Sequence, residues 1–486
     1  LSSTAAHQAL AGWGRFKPQE CTVFRPERRA EVFALLDAAA SRPFIARGLG
    51  RSYGDTAVNA EGSVIDLSRF NSMIAFDPGT GILECEGGVS LAEILNAFVH
   101  RGFFLPVTPG TKFVTVAGAI ANDVHGKNHH CDGSFSRFVE SIDLWTPARG
   151  IITCSASENS DAFWATVGGV GLTGIILRAR LRLRPVESAY VRVDYQRCTH
   201  LDAALEAMAA SDKDYLYSVA WVDCLASKGS LGRSVLMRGN HARASELPQK
   251  MADTPYRLPK RPTLVVPVDF PGFALNSWSI KAFNTLFYAV NRDKQHALVD
   301  YDKYFYPLDG ILQWNRMYGR KGFIQYQATF PMEQRAGLVK MLEHLAQAQR
   351  ASFLVVLKCF GEGGPGLLSY PFPGYTLALD IPNRSGLEEF TRELDRILLD
   401  HGGRLYLAKD ALTDADTFAA MYPNLGAFRE MREYTRECRF VGCVHDAEPE
   451  CAVKQAVQEG KIDEGRYQRY LTFLGELREA ERRQYK

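Results

Sequence analysis

Lys358 stands in an otherwise apolar run, Ser352 to Phe360. An ammonium buried there needs a carboxylate, carbonyl, phosphate or other electron-rich acceptor; the structural alternative is a lysine that snorkels to water. Gln325 and Gln327 are two apart in the strand-like Phe323 to Phe330, so both amides fall on one strand face, where they could orient hydroxyls or phosphate. Gly48, Gly50 and Gly54, within Arg47 to Asp55, allow tight turns beside a ligand, and Arg51 and Ser52 could donate to a pyrophosphate. The spacing matches neither the G-x-x-x-x-G-K-S/T phosphate loop nor a strand, G-x-G-x-x-G, helix and later acid, which argues against a P-loop nucleotidase and a common dinucleotide fold. Near the end, Cys438, Cys443, His445 and Cys451 form C-x4-C-x-H-x5-C, a set suited to a structural tetrahedral zinc, with unligated cysteines in an ordinary tail as the alternative.

These residues need a scaffold. Glu31 to Asp37 has the apolar spacing of an amphipathic helix, and a short strand follows at Pro43 to Ala46. Val64 to Leu67, Gly81 to Glu86 and Val139 to Trp145 read as strands, and Ser90 can cap a helix from Leu91 to Val99. Further glycine-bearing segments lie at Thr108 to His130 and Phe163 to Gly174, and three such segments separated by strands could meet around one elongated ligand. The texture changes near Arg184 to antiparallel-sheet alternation at Tyr190, Val191, Val193 and Tyr195. Strand candidates then recur at Phe323 to Phe330, Ser352 to Phe360 and Tyr375 to Ile381, interleaved with helices Glu333 to Gln349 and Gly386 to His401. Charge and proline alternate from Arg243 to Pro267 without lasting period, the signature of a long exposed loop or lid.

The chain has 486 residues, too many for one core, and 46% of them are hydrophobic. Fifty-seven basic residues against 55 acidic ones give a net charge of +2, which offers no general reason for nucleic acid or membrane as partner. Ten cysteines at irregular spacing favour a reducing compartment over a disulfide scaffold. Leu1 to Gly14 lacks the basic and apolar segments of a signal peptide, and no apolar run reaches membrane-spanning length. The expectation is a cytoplasmic protein or one peripheral to the inner membrane.

Arg47 to Asp55, His125 to His130 and Phe163 to Gly174 together resemble FAD-dependent oxidases of the vanillyl-alcohol oxidase superfamily, and within it the decaprenylphosphoryl-β-D-ribose 2'-oxidase family, from about Gly12 to Met431. The resemblance implies an α+β fold: a two-subdomain FAD-binding domain at 1–184, an antiparallel substrate domain backed by helices at 185–402, a return segment completing the FAD site at 403–437, and a Cys/His tail at 438–486. It implies FAD contacts from Ala46, Arg47, Gly48, Leu49, Gly50, Arg51, Ser52, Tyr53, Gly54, Asp55 and Thr56; from Gly110, Thr115, Val116, Ala117, Gly118, Asn122, Asp123, Val124 and His125; and from Ile176 and Tyr406. Many superfamily relatives attach flavin through a histidine in the first glycine loop. Arg51 lies between Gly50 and Ser52 here, so noncovalent FAD is expected. Tyr318, Gln325, Gln327, Lys358 and Lys409 are the implied substrate contacts, with Lys409, Lys358, His125 and Tyr53 as catalytic candidates. Lys409 resembles the family's active-site lysine and could polarise or deprotonate an alcohol. The implied reaction takes the 2' hydroxyl of decaprenylphosphoryl ribose to a ketone, with a quinone as candidate electron acceptor, a separate keto-sugar reductase downstream and a peripheral membrane contact. The family commonly has Asn and Cys where this chain has Thr376 and Ala378. Aldonolactone or alditol oxidation is the enzymatic alternative.

From Cys438 through Cys451 to Arg466 and Tyr467, the chain resembles the zinc module that ends the small-subunit biogenesis GTPases. No P-loop precedes it, so GTP hydrolysis is not implied. A ribosome- or RNA-binding role through this tail is the competing reading of the whole chain.

Overall fold

The computed structural model describes residues 5–39, 44–60, 62–147, 149–350, 352, 354–434, 451–462, 464, 467–468 and 471, of which 430–434 are described in backbone only. The first sheet contains β1 (Ala6–Leu10), β2 (Gln19–Phe24), β3 (Phe44–Arg47) and β4 (Ser63–Asp66) in the order β1-β2-β4-β3, with β2 and β3 parallel to β4. Helix α1 (Arg29–Ala39) links β2 to β3. Its Val32 and Leu36, four apart and so on one face, pack with Ile65 of the first sheet and with Trp145 and Leu177 of the second.

The second sheet is antiparallel: β5 (Met73–Asp77), β6 (Ile82–Glu86), β7 (Val139–Thr146), β8 (Gly150–Cys154) and β9 (Ile175–Arg182), ordered β5-β6-β9-β7-β8. Helix α2 (Leu91–Phe98) starts where expected. Ser90 Oγ accepts from the Glu93 N–H at 3.1 Å while Glu93 accepts from the Ser90 N–H at 2.7 Å, and Leu91, Ile94, Leu95 and Phe98 are buried. The reciprocal cap contributes about 1 kcal/mol. Helix α3 (Val116–Ala121) begins at Thr115, whose hydroxyl accepts from the Gly118 N–H at 3.2 Å.

The third sheet has eight antiparallel strands: β10 (Tyr190–Cys198), β11 (Tyr217–Val222), β12 (Ser234–His241), β13 (Lys294–Asp300), β14 (Phe323–Pro331), β15 (Val355–Phe360), β16 (Gly374–Pro382) and β17 (Arg404–Leu405). Their order is β13-β10-β12-β11-β15-β16-β14-β17. Helices α4 (Leu201–Ser211), α6 (Arg335–Gln347) and α7 (Leu387–Asp400) cover one face, and α5 (Ser277–Val290) stands apart from them. Period-two alternation divides the central strands. Ile324, Tyr326, Leu357, Leu377 and Leu379 enter the helix-covered core. Gln325, Gln327, Val356, Lys358 and Ala378 point the other way, into a cleft.

Of the two expectations for 243–267, a long exposed loop or a lid, the structure matches the exposed loop, tied down at several points. It carries a 3-10 turn (Ala244–Glu246) and a short helix (Gln249–Ala252), and Leu264–Val265 pairs in parallel with Ile311–Leu312. Tyr256 Oη donates to the Val186 carbonyl at 3.1 Å, and Arg261 is paired with Asp300. Proline and charge leave most of the segment exposed, with these few contacts anchoring it.

Candidate active site

A cleft of about 320 Å³ separates the polar face of the third sheet from the glycine loops of the first two. Ala46 through Tyr53, Thr56, Gly110, Thr115, Ala117, Gly118, Asn122, Val124, His125, Ile176 and Tyr406 line it, as do Gln325, Gln327, Lys358 and Lys409. The other expected residues stand off its surface. A Cβ on Gly54 would enter the van der Waals shell of the Asp410 carbonyl, so Gly54 serves a close backbone approach. Asp55 is exposed, and Val116, the first residue of α3, is buried in the core. Asp123 is fully buried and accepts from the Ser369 hydroxyl and, at 3.3 Å, from the Ser136 N–H. Tyr318 stacks on Phe323 with ring centroids 3.9 Å apart and donates to Asp380 at 3.2 Å, so it supports the wall from behind.

The glycine-loop end is shaped for an elongated polar ligand. Thr56 Oγ1, Asn122 Oδ1 and His125 Nδ1 are buried along the cleft with no hydrogen-bond partner among the described residues, a costly arrangement unless a bound group satisfies them. Gly48 lies so close to Thr115 that a Cβ there would strike its hydroxyl, which brings the first and second glycine segments edge to edge. The arginines of the first loop are largely committed elsewhere. Arg47 donates to the carbonyls of Ala11 and Ala57 at 2.8 and 3.0 Å, and Arg51 donates to Leu49 at 2.8 Å while its guanidinium lies 4.1 Å from the Trp13 ring centroid. This end fits FAD, its orphaned acceptors and donors spread along the length the dinucleotide would occupy.

At the other end, β14, β15, β16 and the turn after β17 meet. Lys409 Nζ lies 3.9 Å from the centroid of the Tyr53 ring. Loss of water pulls its pKa down to about 7, Asp380 working against that shift and Lys358 adding to it. Desolvation brings Lys358 down to about 8. Gln325 donates to Asp380 Oδ1 at 2.6 Å across the β14–β16 register, where the two residues are direct partners. Asp380 is fully buried, and its carboxyl is pushed up to about 7 by burial, opposed by Gln325, Lys409 and Tyr318. Gln327 approaches His125 Nε2 at 2.9 Å. Burial, Lys358, His129 and Lys409 hold His125 well below its usual range, so its ring is neutral at pH 7. With the Gln327 amide donating to Nε2, the imidazole hydrogen sits on the unpartnered Nδ1.

Sequence reasoning passed over Asp380 and Lys127. Asp380 is a lone acid in an apolar strand, the same signal that singled out Lys358. Lys127, brought to about 7 by burial with Lys358 adding, donates to the Tyr304 carbonyl and sits 4.0 Å from that ring's centroid.

Comparison with known proteins agrees with this geometry. Residues 22–155 match the family model described as FAD binding domain. Over 429 residues the chain is 40% identical to the decaprenylphosphoryl-β-D-ribose oxidase of Mycolicibacterium smegmatis, covering 87% of this chain and 93% of that protein. The chain belongs to the decaprenylphosphoryl-β-D-ribose oxidase family. It is an FAD-dependent oxidoreductase with the bipartite α+β fold of the vanillyl-alcohol oxidase superfamily. An uncharacterized protein in the mprA 5' region of Streptomyces coelicolor is 33% identical over 354 residues, covering 71% of this chain and 95% of that protein. A further match, 40% over 102 residues, is to the small ribosomal subunit biogenesis GTPase of Caldanaerobacter subterraneus, covering 20% of this chain and 32% of that protein. Within the oxidase-family site, Thr376 accepts from Gln327 at 3.3 Å and Ala378 faces both Gln327 and Val356 in register.

Of the four expected zinc ligands, Cys438, Cys443 and His445 lie outside the described residues; Cys451 is buried at the start of the helix Ala452–Gln458. Among the described residues no group of three or more His, Cys, Asp or Glu side chains could hold a metal ion, and no helix is long and apolar enough to cross a membrane.

Proposed function

We propose that this oxidoreductase converts the 2' hydroxyl of decaprenylphosphoryl-β-D-ribose to the 2'-keto sugar with noncovalent FAD. The observation that carries the reading is the convergence of Lys409, Lys358 and Asp380 at the end of a cleft whose other end fits FAD. FAD, when bound, supplies the hydride acceptor. Near pH 7 part of the Lys409 population is neutral, and a neutral amine can take the proton leaving the hydroxyl. The Asp380 carboxylate then faces the new ammonium, which lowers the cost of making a charge in a dry site. Lys358 keeps more of its charge and provides an anchor for the sugar or its phosphate. Gln325 and Gln327, each held by a neighbour, present rotationally fixed amides to the sugar hydroxyls.

The decisive experiment is an anaerobic absorption titration of FAD-loaded protein with a short-chain prenylphosphoryl ribose. Bleaching of oxidised flavin with stoichiometric ketone supports the reading. Bleaching by aldonolactones or alditols alone replaces it. Acid precipitation that leaves yellow colour on the protein would refute noncovalent attachment. A quinone acceptor and a separate keto-sugar reductase complete the proposed sequence. For the tail, the Cys438, Cys443, His445 and Cys451 pattern supports a structural zinc; one equivalent of zinc in the purified chain, reduced in Cys443→Ser, is expected.

A further inference from the structure

The polar face of the third sheet is ordered in rows. Residues two apart on a strand share a face, and the register sets Thr376 of β16 between Thr329 of β14 and Lys358 of β15, one row beyond Gln327, Ala378 and Val356. Thr329 and Thr376 are fully buried, and the hydroxyl of Tyr370, from the loop joining β15 to β16, reaches both. Thr329 Oγ1 donates to Tyr370 Oη at 2.6 Å, Tyr370 Oη lies 2.9 Å from Thr376 Oγ1, and Thr376 Oγ1 accepts from Gln327 Nε2 at 3.3 Å. Since Tyr370 receives the Thr329 hydrogen, its own goes to Thr376. Gln327 Nε2 also donates to His125 Nε2 at 2.9 Å, so both amide hydrogens are committed and the amide oxygen is left for a ligand.

Packing does not call for this string of hydroxyls. The Tyr370 ring is buried with Phe360, Tyr406 and Ala408 and stacks on Tyr406 at 4.7 Å, contacts that a phenylalanine would make as well. The hydroxyls lead instead to His125, whose ring is enclosed by Phe360, Tyr370 and Tyr406 with centroids 4.7, 5.6 and 5.1 Å away. Burial and the nearby Lys358, His129 and Lys409 keep that ring neutral. It therefore holds one hydrogen for two nitrogens, and its neighbours decide which nitrogen carries it. The amide nitrogen facing Nε2 puts the hydrogen on Nδ1, the atom that has no partner among the described residues. An amide oxygen facing Nε2 would draw the hydrogen there and leave Nδ1 an acceptor. One flip of Gln327 thus exchanges a donor for an acceptor on the cleft wall.

We propose that Tyr370 and Thr376 are positioning residues: their hydroxyls hold the Gln327 amide in the orientation that keeps the His125 hydrogen on Nδ1. The cleft then offers an imidazole N–H to an acceptor atom of the bound ligand and the Gln327 oxygen to a hydroxyl. Gln327 and His125 line the cleft, whereas Tyr370 and Thr376 stand behind them and act through Gln327. The inference rests on the oxidoreductase assignment and not on which sugar is oxidised.

The test reads the hydrogen directly. In protein carrying isotopically labelled histidine, with and without FAD, long-range proton–nitrogen spectra assign the tautomer of His125, whose signals are identified by their loss in His125→Gln. Wild type should carry the hydrogen on Nδ1. Tyr370→Phe and Thr376→Val should move it at least in part to Nε2, and Thr376→Ser, which keeps the hydroxyl, should give the wild-type tautomer. In anaerobic stopped flow with the short-chain prenylphosphoryl ribose, the two hydroxyl-deleting variants should reduce bound FAD about tenfold more slowly at saturating substrate, and Thr376→Ser should recover the rate. A wild-type hydrogen on Nε2, an unchanged tautomer in both variants, or a shifted tautomer with an unchanged reduction rate overturns the proposal. If Tyr370→Phe fails to fold, the Thr376→Val and Thr376→Ser pair decides it. Wild type that shows the Nδ1 tautomer but no flavin reduction by the prenylphosphoryl ribose removes the sugar reading, and the spectra of the variants still decide this one.

Discussion

Lys409 and Asp380 share a dry pocket, and each moves the other's proton. Because Lys409 is brought down to about 7, the fraction able to accept a proton grows as pH rises through 7, so flavin reduction should accelerate over that interval in anaerobic stopped-flow traces. Asp380 opposes the fall in the lysine's pKa. Asp380→Asn should therefore shift the acidic limb of the profile to lower pH; a shift upward, or none, would separate the two groups. Lys409→Met should slow flavin reduction by at least about 10²-fold while FAD content stays at the wild-type level. Lys358 was legible in the sequence because a cation in an apolar strand demands an explanation. Asp380 obeyed the same logic and went unread, because its strand was read for what it lacks relative to the family, at Thr376 and Ala378. Tyr318 was expected at the substrate and stands behind it, since a tyrosine's spacing says nothing about whether its ring faces ligand or core.

The first glycine loop and the turn after β17 are one construction. The Tyr53 N–H donates to the Ala408 carbonyl at 3.0 Å, Gly54 rests on the Asp410 carbonyl, and the Trp13 N–H donates to Ser52 at 2.7 Å. Gly54→Ala should force these backbones apart, costing about 1–3 kcal/mol in urea unfolding, and should lower both FAD occupancy and the reduction rate of the FAD-loaded fraction. A variant with full FAD and a normal rate would show that the turn can move freely. Strands β14, β15 and β16 were readable from period-two apolar alternation, and helices α6 and α7 from their single apolar stripes. Helix α5 escaped because its apolar residues encircle it, leaving no stripe to detect. The segment at 243–267 is mostly exposed, as its lack of periodicity indicates, while Tyr256 and Arg261 hold it to the body of the protein.

Across the molecule, FAD would touch loops from the first two sheets and the polar face of the third, so binding it couples their stabilities. At free FAD about 100-fold above its dissociation constant, linkage adds about 2.7 kcal/mol. Removing FAD should therefore lower the melting temperature and separate what melts together in the loaded protein into distinct calorimetric transitions. The strand order of the third sheet was beyond reach of the sequence, because β17, only two residues long, joins at the edge beside β14 after the chain has passed through α7.

That late return has a consequence for how the protein is made. The loop at Arg47 to Asp55 leaves the ribosome early, but the Asp410 carbonyl that Gly54 abuts and the Lys409 amine arrive roughly 350 residues later. At about 5–20 residues per second, the nascent chain spends roughly 20–70 s with a glycine loop that has nothing to lean on. The cleft is closed only by nearly the last part of the oxidase region to be translated, so a chain truncated before residue 409 would carry most of the cleft's lining and lack the proposed proton acceptor.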